Sequence, residues 1–301
     1  MVQMKDGHGK TLRAVPTNGR QTGLGLTRLA RELFADRYRP GQSLQLHKIA
    51  AEHGMDLDGA KDVQRAFFPP QSLSIPCLSC ETFYKPAQEI GGDYYDFLAL
   101  EEGKWGIAIG DVSGKGIGAA LIMASLQASL RAQALHPHLD LPTLIGDVNW
   151  LVYESSPMNF FASLFYAEYQ PSTRVLKYVN AGHNPPIVLR PRNGRCRMFH
   201  LKAGGMPVGI SVDPQFTTSS FQLEIDDVFI AYTDGITEVE NRDGEQWGEQ
   251  GLESLLRSCP DGTPEQIIKC ILDEVSSFAD GLPQRDDMTL VVMRMQEGCD
   301  V

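Results

Sequence analysis

"GDVSGKGIGAA", residues 110–120, decides how this chain is read. Its glycines at 110, 114, 116 and 118, with Lys115 among them, suggest a phosphate loop, yet Asp111 stands at the mouth. A Walker loop needs G-x-x-x-x-G-K followed by Ser or Thr. Here the spacing from Gly110 to Gly114 is one residue short, and Gly116 follows the lysine. The dinucleotide fingerprint G-x-G-x-x-G fails as well, because Gly114, Gly116 and Gly118 are evenly spaced. An anionic side chain at the mouth would also repel a phosphate. The stretch reads as a tight turn that presents an aspartate.

Other aspartates share that setting. Asp111 ends the strand-like WGIAIG, and Asp234 ends VFIAYT and is followed by Gly235. Asp286 and Asp287 precede MTLVVMRM, while Asp93 follows Gly91-Gly92 and precedes YYDFLAL. Any one of these is an ordinary turn aspartate when taken alone. Together they mark ends of apolar strands, which one sheet system can bring to one place. Clustered carboxylates in a partly buried place need a counter-charge to stay ionised. Oxygen-only ligands suit hard ions, Mg²⁺ or Mn²⁺, rather than zinc.

The remaining chain frames this site. It has 301 residues, 42% of them hydrophobic and 22% charged, which are the proportions of a globular protein. Its formal net charge of −11 argues against a nucleic-acid partner. Residues 1–40 nevertheless hold eight Lys/Arg against three Asp/Glu and read as a solvated leader. No apolar run approaches the ~18–20 residues of a membrane span, and MVQMKDGHGK lacks a secretory apolar core. The expectation is a cytoplasmic chain with no membrane partner. Cys77 and Cys80 form a C-x-x-C without a second pair, so they are read as reduced thiols and not as a zinc site.

The pattern predicts a short helix over 26–38 and a second helical stretch over 44–68, stopped by Pro69-Pro70. Past residue 70, short apolar or alternating runs predict strands, with FASLFYAEYQ-PST-RVLKYVNAG as a hairpin. Helices are predicted over 117–134, over 143–155 and from Thr263-Pro264-Glu265-Gln266 to about residue 278. Strands outnumber helices and short turns join them, so the fold class is α+β with largely antiparallel sheets. Three segments are expected: a basic N-terminal segment over 1–43, a helical linker over 44–70, and the main domain over 71–298.

GGDYYDF (91–97), GDVSGKGIGAALIMA (110–124), NAGHNPP (180–186), YTDGITEVEN (232–241) and RDDMTLVVMR (285–294) occur in this order. The set resembles the metal-dependent 2C-like (PPM) serine/threonine protein phosphatases, in their bacterial SpoIIE/RsbU-like branch. The resemblance runs from about 60 to 296 and implies a four-layer αββα sandwich with two Mn²⁺ or Mg²⁺ ions at one end. It implies that Asp111 bridges both ions, that the Val112 carbonyl joins one, that Asp93 binds the second, and that Asp234 and Asp286 bind the first. Asp287 is a supporting residue. The implied activity is phosphoserine/phosphothreonine hydrolysis by two-metal activation of water. The implied substrate is a phosphorylated regulatory protein in stress signalling, an anti-sigma-factor antagonist.

The stretch 86–90, PAQEI, lacks the phosphate-holding arginine of many relatives. His183 is therefore a candidate acid near the leaving group, or merely orders its loop. Lys115 is a candidate for the phosphate, or a solvated lysine. The alternative readings are a pseudo-phosphatase that captures a phosphoprotein without turnover, and a hydrolase of a small phosphorylated molecule. Leu57, Ala60, Val63 and Phe67 form a helical stripe, and a homodimer through 55–68 is expected.

Overall fold

In Trp105–Val112 almost every residue is buried, on both faces of the strand. The computed structural model explains this: the strand lies in the middle of a layered stack. The structure describes residues 57–69 and 75–297, apart from 137–138, 158, 193–194, 203 and 259–261. It also describes a two-residue antiparallel ladder, Met4–Lys5 with Thr11–Leu12. The helix expected over 26–38, and the part of the 44–68 stretch before Leu57, lie outside these residues.

Helix α1 (Leu57–Arg65) comes first. One sheet has the path β8-β5-β4-β3-β2, with β9 added beside β5. Its strands are β2 (Tyr94–Ala99), β3 (Trp105–Val112), β4 (Ala162–Gln170), β5 (Val175–Ala181), β8 (Gly204–Gly205) and β9 (Ser219–Gln222). The other sheet has the order β1-β11-β10-β6-β7. It is built from β1 (Leu78–Lys85), β6 (Ile187–Arg192), β7 (Arg195–His200), β10 (Val228–Tyr232) and β11 (Met288–Met295). Every pairing is antiparallel except β8 with β5. The expected hairpin is β4–β5, turning over 171–174 with Arg174 in the left-handed region.

Alternation decides which residue serves which layer. Ile107, Ile109, Phe165 and Tyr169 of the first sheet meet Phe229, Val291 and Met293 of the second in one apolar core. Ala108, Val112, Leu164 and Tyr166, on the other face of the first sheet, pack under α2 (Gly116–Ala134) and α3 (Leu141–Ser155). Ile230, Tyr232, Leu290 and Val292 pack under α5 (Gly248–Ser258) and α6 (Pro264–Ala279). The layers are thus αββα. The start of α6 carries the expected capping box: the Thr263 hydroxyl accepts from Gln266 N at 3.3 Å, and the Gln266 side chain accepts from Thr263 N at 2.9 Å. The reading of uniformly reduced thiols fails at one position. Cys80 is free, whereas Cys77 is disulfide-bonded. Among the described residues no helix is long and apolar enough to cross a membrane.

Helix α2 is fastened to the first sheet by one ion pair. Asp96, wholly buried in β2, accepts from Tyr94 Oη at 2.7 Å, from Phe97 N at 2.9 Å, and from Arg131 Nε and Nη2 at 2.7 and 2.9 Å. Removing the arginine strands a buried anion, whereas Asp96→Asn keeps a neutral acceptor there. Arg131→Met is expected to lower stability by roughly 2–3 kcal/mol, the low side of the buried-pair range because Arg131 is 47% exposed. Asp96→Asn should cost less. Urea midpoints at equal m-value give the comparison, and the reverse order would show that Asp96 is not held as an anion.

Candidate metal centre

The site is assembled by antiparallel pairing. Residue Asp93 immediately precedes β2 and Asp111 is near the end of β3, and the register Tyr94↔Gly110 sets them side by side. In the second sheet, β10 ends just before Asp234, the first residue of the short helix α4 (Asp234–Thr237). Its neighbour β11 begins just after Asp286 and Asp287, with Tyr232↔Leu290 in register. All four strand ends meet at one end of the stack. Glycine permits the close approach: a Cβ at Gly235 would collide with the Asp287 carbonyl. Gly116 sits at φ +69°, a left-handed backbone that a side chain would strain.

Two threonines join the sheets through Asp93. Its Oδ2 accepts from Thr233 Oγ1 at 2.7 Å and from Thr289 Oγ1 at 2.5 Å. Thr233 and Thr289 are fully buried and flank Asp234 and the Asp286-Asp287 pair. Asp287 accepts from Ala87 N at 2.7 Å and Gly92 N at 2.6 Å, which ties the second sheet to the turn before Asp93. That turn is clasped from α1. Gln64 Nε2 donates to the Gly91 carbonyl at 2.7 Å, and Gly91 N donates to Gln64 Oε1 at 3.1 Å. Val112 is buried with its backbone against Gly92, whose carbonyl accepts from Val112 N at 3.4 Å.

Crowding shows in the acidities. Burial, then Asp234, Asp286 and Asp287, push the Asp111 carboxyl up to about 8. Burial and then Asp111 hold Asp93 well above the usual carboxylate range. Asp234 is raised to about 6 by burial, then by Asp286 and Glu238. Asp287 is raised chiefly by burial, against the opposing pull of the Ala87 and Gly92 N–H groups. Lys115 Nζ lies 2.6 Å from Asp286 and also donates to the Arg285 carbonyl. Among the described residues no three of these side chains form a closed metal cage. The donor set still fits divalent cations, since it is all oxygen and its mutual repulsion is relieved by added positive charge.

His183 is buried in the loop that follows β5. It is 3% exposed, its Nδ1 lies 2.7 Å from Ser163 Oγ, and burial lowers its pKa to about 4. Ser163 pairs with Asp111 in the β3–β4 register. Sequence reasoning missed Thr233, Thr289 and Gln64. The threonines were readable in principle, each one or two residues from a flagged aspartate. Gln64 sits in a helix 27 residues before Gly91, with no local signal.

RsbU of Bacillus subtilis, named a phosphoserine phosphatase, is 29% identical over 261 residues, covering 84% of this chain and 75% of its own. Protein IcfG of Synechocystis is 29% identical over 269 residues, and this chain spans only 41% of it. Among solved structures, the SiaA PP2C domain of Pseudomonas aeruginosa superposes with a TM-score of 0.69 at 20% identity, over 82% of this chain and 99% of its own. RsbX in complex with magnesium gives a TM-score of 0.53 at 15% identity, over 73% and 96% of the two chains. These likenesses show the PP2C fold. The profile of Stage II sporulation protein E (SpoIIE) matches residues 101–296, a span that holds Asp111, Asp234 and Asp286, and the chain belongs to that family.

Proposed function

We propose that this chain is a metal-dependent protein phosphatase that hydrolyses phosphoserine or phosphothreonine on a regulatory protein, an anti-sigma-factor antagonist. One observation carries the reading: aspartates from four strand ends are crowded together with Asp111 raised to about 8, so the site lacks positive charge. Similarity to a phosphoserine phosphatase supports the substrate class. Two ions, Mn²⁺ or Mg²⁺, would acidify a water and neutralise phosphoryl oxygens when bound. Asp111 would serve both ions, with Asp234 and Asp286 for the first, Asp93 for the second, and the Val112 carbonyl joining one of them. Thr233 and Thr289 keep Asp93 aimed, and Asp287 holds the turn before it. The complete aspartate set gives a non-hydrolysing reading no support.

Lys115 is the cation at the mouth of the cluster and the candidate to meet the phosphate. His183, buried and neutral, orders the NAGHNPP loop through Asn180, whose Oδ1 accepts from His183 N at 2.8 Å. Homodimerisation through 55–68 keeps one support: Val63 is 58% exposed on α1, while Gln64 next to it is buried.

Asp111→Asn and Asp234→Asn are each expected to cut phosphopeptide turnover at least a hundredfold. The metal-free melting temperature of Asp111→Asn should rise, because a repelled, buried carboxylate is removed, by about 2–4 °C for each kcal/mol relieved. Mn²⁺ should raise the melting temperature of the parent by mass action but not that of an Asp93→Asn/Asp111→Asn double variant. Turnover within a few-fold of the parent, or an equal metal response in the double variant, would overturn the site.

Gln64→Ala removes the clasp on Gly91. Weaker Mn²⁺ binding by calorimetry, about tenfold, is expected with circular dichroism unchanged. Parental affinity would show that α1 does not position the Asp93 turn.

A further inference from the structure

A cleft of about 540 Å³ opens directly beside the carboxylates. Lys115, Gly235 and Asp286 line it, so it is continuous with the candidate metal centre. Its floor is apolar: Phe83, Leu272, Val275 and Met288, drawn from β1, α6 and β11. All four belong to or pack against the core beneath α5 and α6. The cleft is therefore an opening onto a rigid core.

The polar groups around it are mostly committed. Lys115 is paired with Asp286, and Arg285 with Glu240. Lys85, an exposed residue at the rim, is a further cation of the lining. Gln284 holds the buried polar atom that stands out. Its Nε2 donates to the carbonyls of Lys85 at 2.8 Å and Asp286 at 2.7 Å, while its Oε1 is buried and accepts from no group among the described residues. An apolar floor next to an acceptor without a donor suits an extended peptide, which brings side chains and N–H groups together.

We propose that this cleft is a specificity site that receives an apolar side chain of the substrate polypeptide, within a few residues of the phosphorylated serine. The proposal rests on the phosphatase reading of the adjoining aspartates. It adds which substrates are chosen: phosphoproteins with a leucine-sized residue at one fixed distance from the phosphate. Burial of one leucine side chain is worth roughly tenfold or more in kcat/KM.

The test is a set of alanine-based phosphoserine peptides in which one leucine is moved from three residues before the phosphoserine to three after it. The full chain is assayed with Mn²⁺, together with Ala279→Trp and Ser276→Trp. Both residues line the cleft, are not core-buried, and lie near the end of α6. The expected result is one leucine position favoured at least about tenfold over the all-alanine peptide, with that ratio collapsing toward one in both tryptophan variants. A flat scan, or a preference that survives both variants, overturns the proposal. So does turnover of para-nitrophenyl phosphate without turnover of any peptide, which would give the cleft to a small molecule. If no compound is hydrolysed, the phosphatase reading fails by itself. Fluorescence anisotropy with the same labelled peptides then decides the cleft: a tenfold loss of leucine-dependent binding in the tryptophan variants upholds it, and equal binding overturns it.

Discussion

Burying mutually repelling carboxylates is the constraint on which the rest of this structure depends. Asp93 is almost wholly enclosed, and burial with mutual repulsion pushes Asp93 and Asp111 toward their neutral forms, so the folded chain cannot keep this cluster ionised without added positive charge. Such a site persists only if its surroundings over-determine it. Here they do so on both sides. Thr233 and Thr289 hold one oxygen of Asp93 from the second sheet, and the Ala87 and Gly92 amides, in the connection from β1 to β2, hold both oxygens of Asp287. The two sheets are therefore joined by an apolar core at their centre and by hydrogen bonds to carboxylates at one end.

Much of this was legible because the chemistry constrains short stretches. A glycine beside an aspartate at the end of an apolar strand is a local signal, and it marked Asp93, Asp111 and Asp234 as strand-end residues, while Asp286 was marked by the apolar run that follows it. Antiparallel connection by short turns was legible too, and it is antiparallel pairing that puts the start of β2 beside the end of β3. What the sequence concealed is long-range. Gln64 reaches Gly91 across 27 residues, and Ala87 reaches Asp287 across 200. No periodicity or turn chemistry encodes such partners. His183 shows the same limit. A histidine in a glycine- and proline-rich loop reads either as an acid or as a residue that orders its loop, and its contact with Ser163 is not encoded nearby.

Helix α1 has an unusual place in this arrangement. It is short and largely polar, and just one of its residues, Gln64, is buried. Its hold on the body includes a pair of hydrogen bonds to one glycine, with Tyr84 Oη also donating to Gln64 Oε1 at 3.3 Å, and an ion pair of Lys61 with Glu89. Phe67 and Phe68, just beyond it, pack on the cores. A short helix with one buried residue can be displaced at modest cost. Because Gly91 precedes Gly92 and Asp93, any displacement is felt first in the turn that carries a proposed metal donor. A signal arriving from the N-terminal side would thus have a short physical path to the site.

The charge balance closes the argument. The chain is acidic, at −11, and the buried acidity around Asp93 lies where, on the proposed function, a phosphate would arrive. Repulsion alone would exclude that substrate. Two divalent ions would add four positive charges, enough to cancel those of Asp93, Asp111, Asp234 and Asp286, and Lys115 would then tip the balance. Lys115, meanwhile, already stands against Asp286 with 37% of its side chain exposed. Affinity for phosphate would then follow metal occupancy, not sequence charge. In such a site the protein's task is to keep carboxylates closer together than they would choose to be, and the threonines, glycines and amides around Asp93 and Asp287 are the groups that do it.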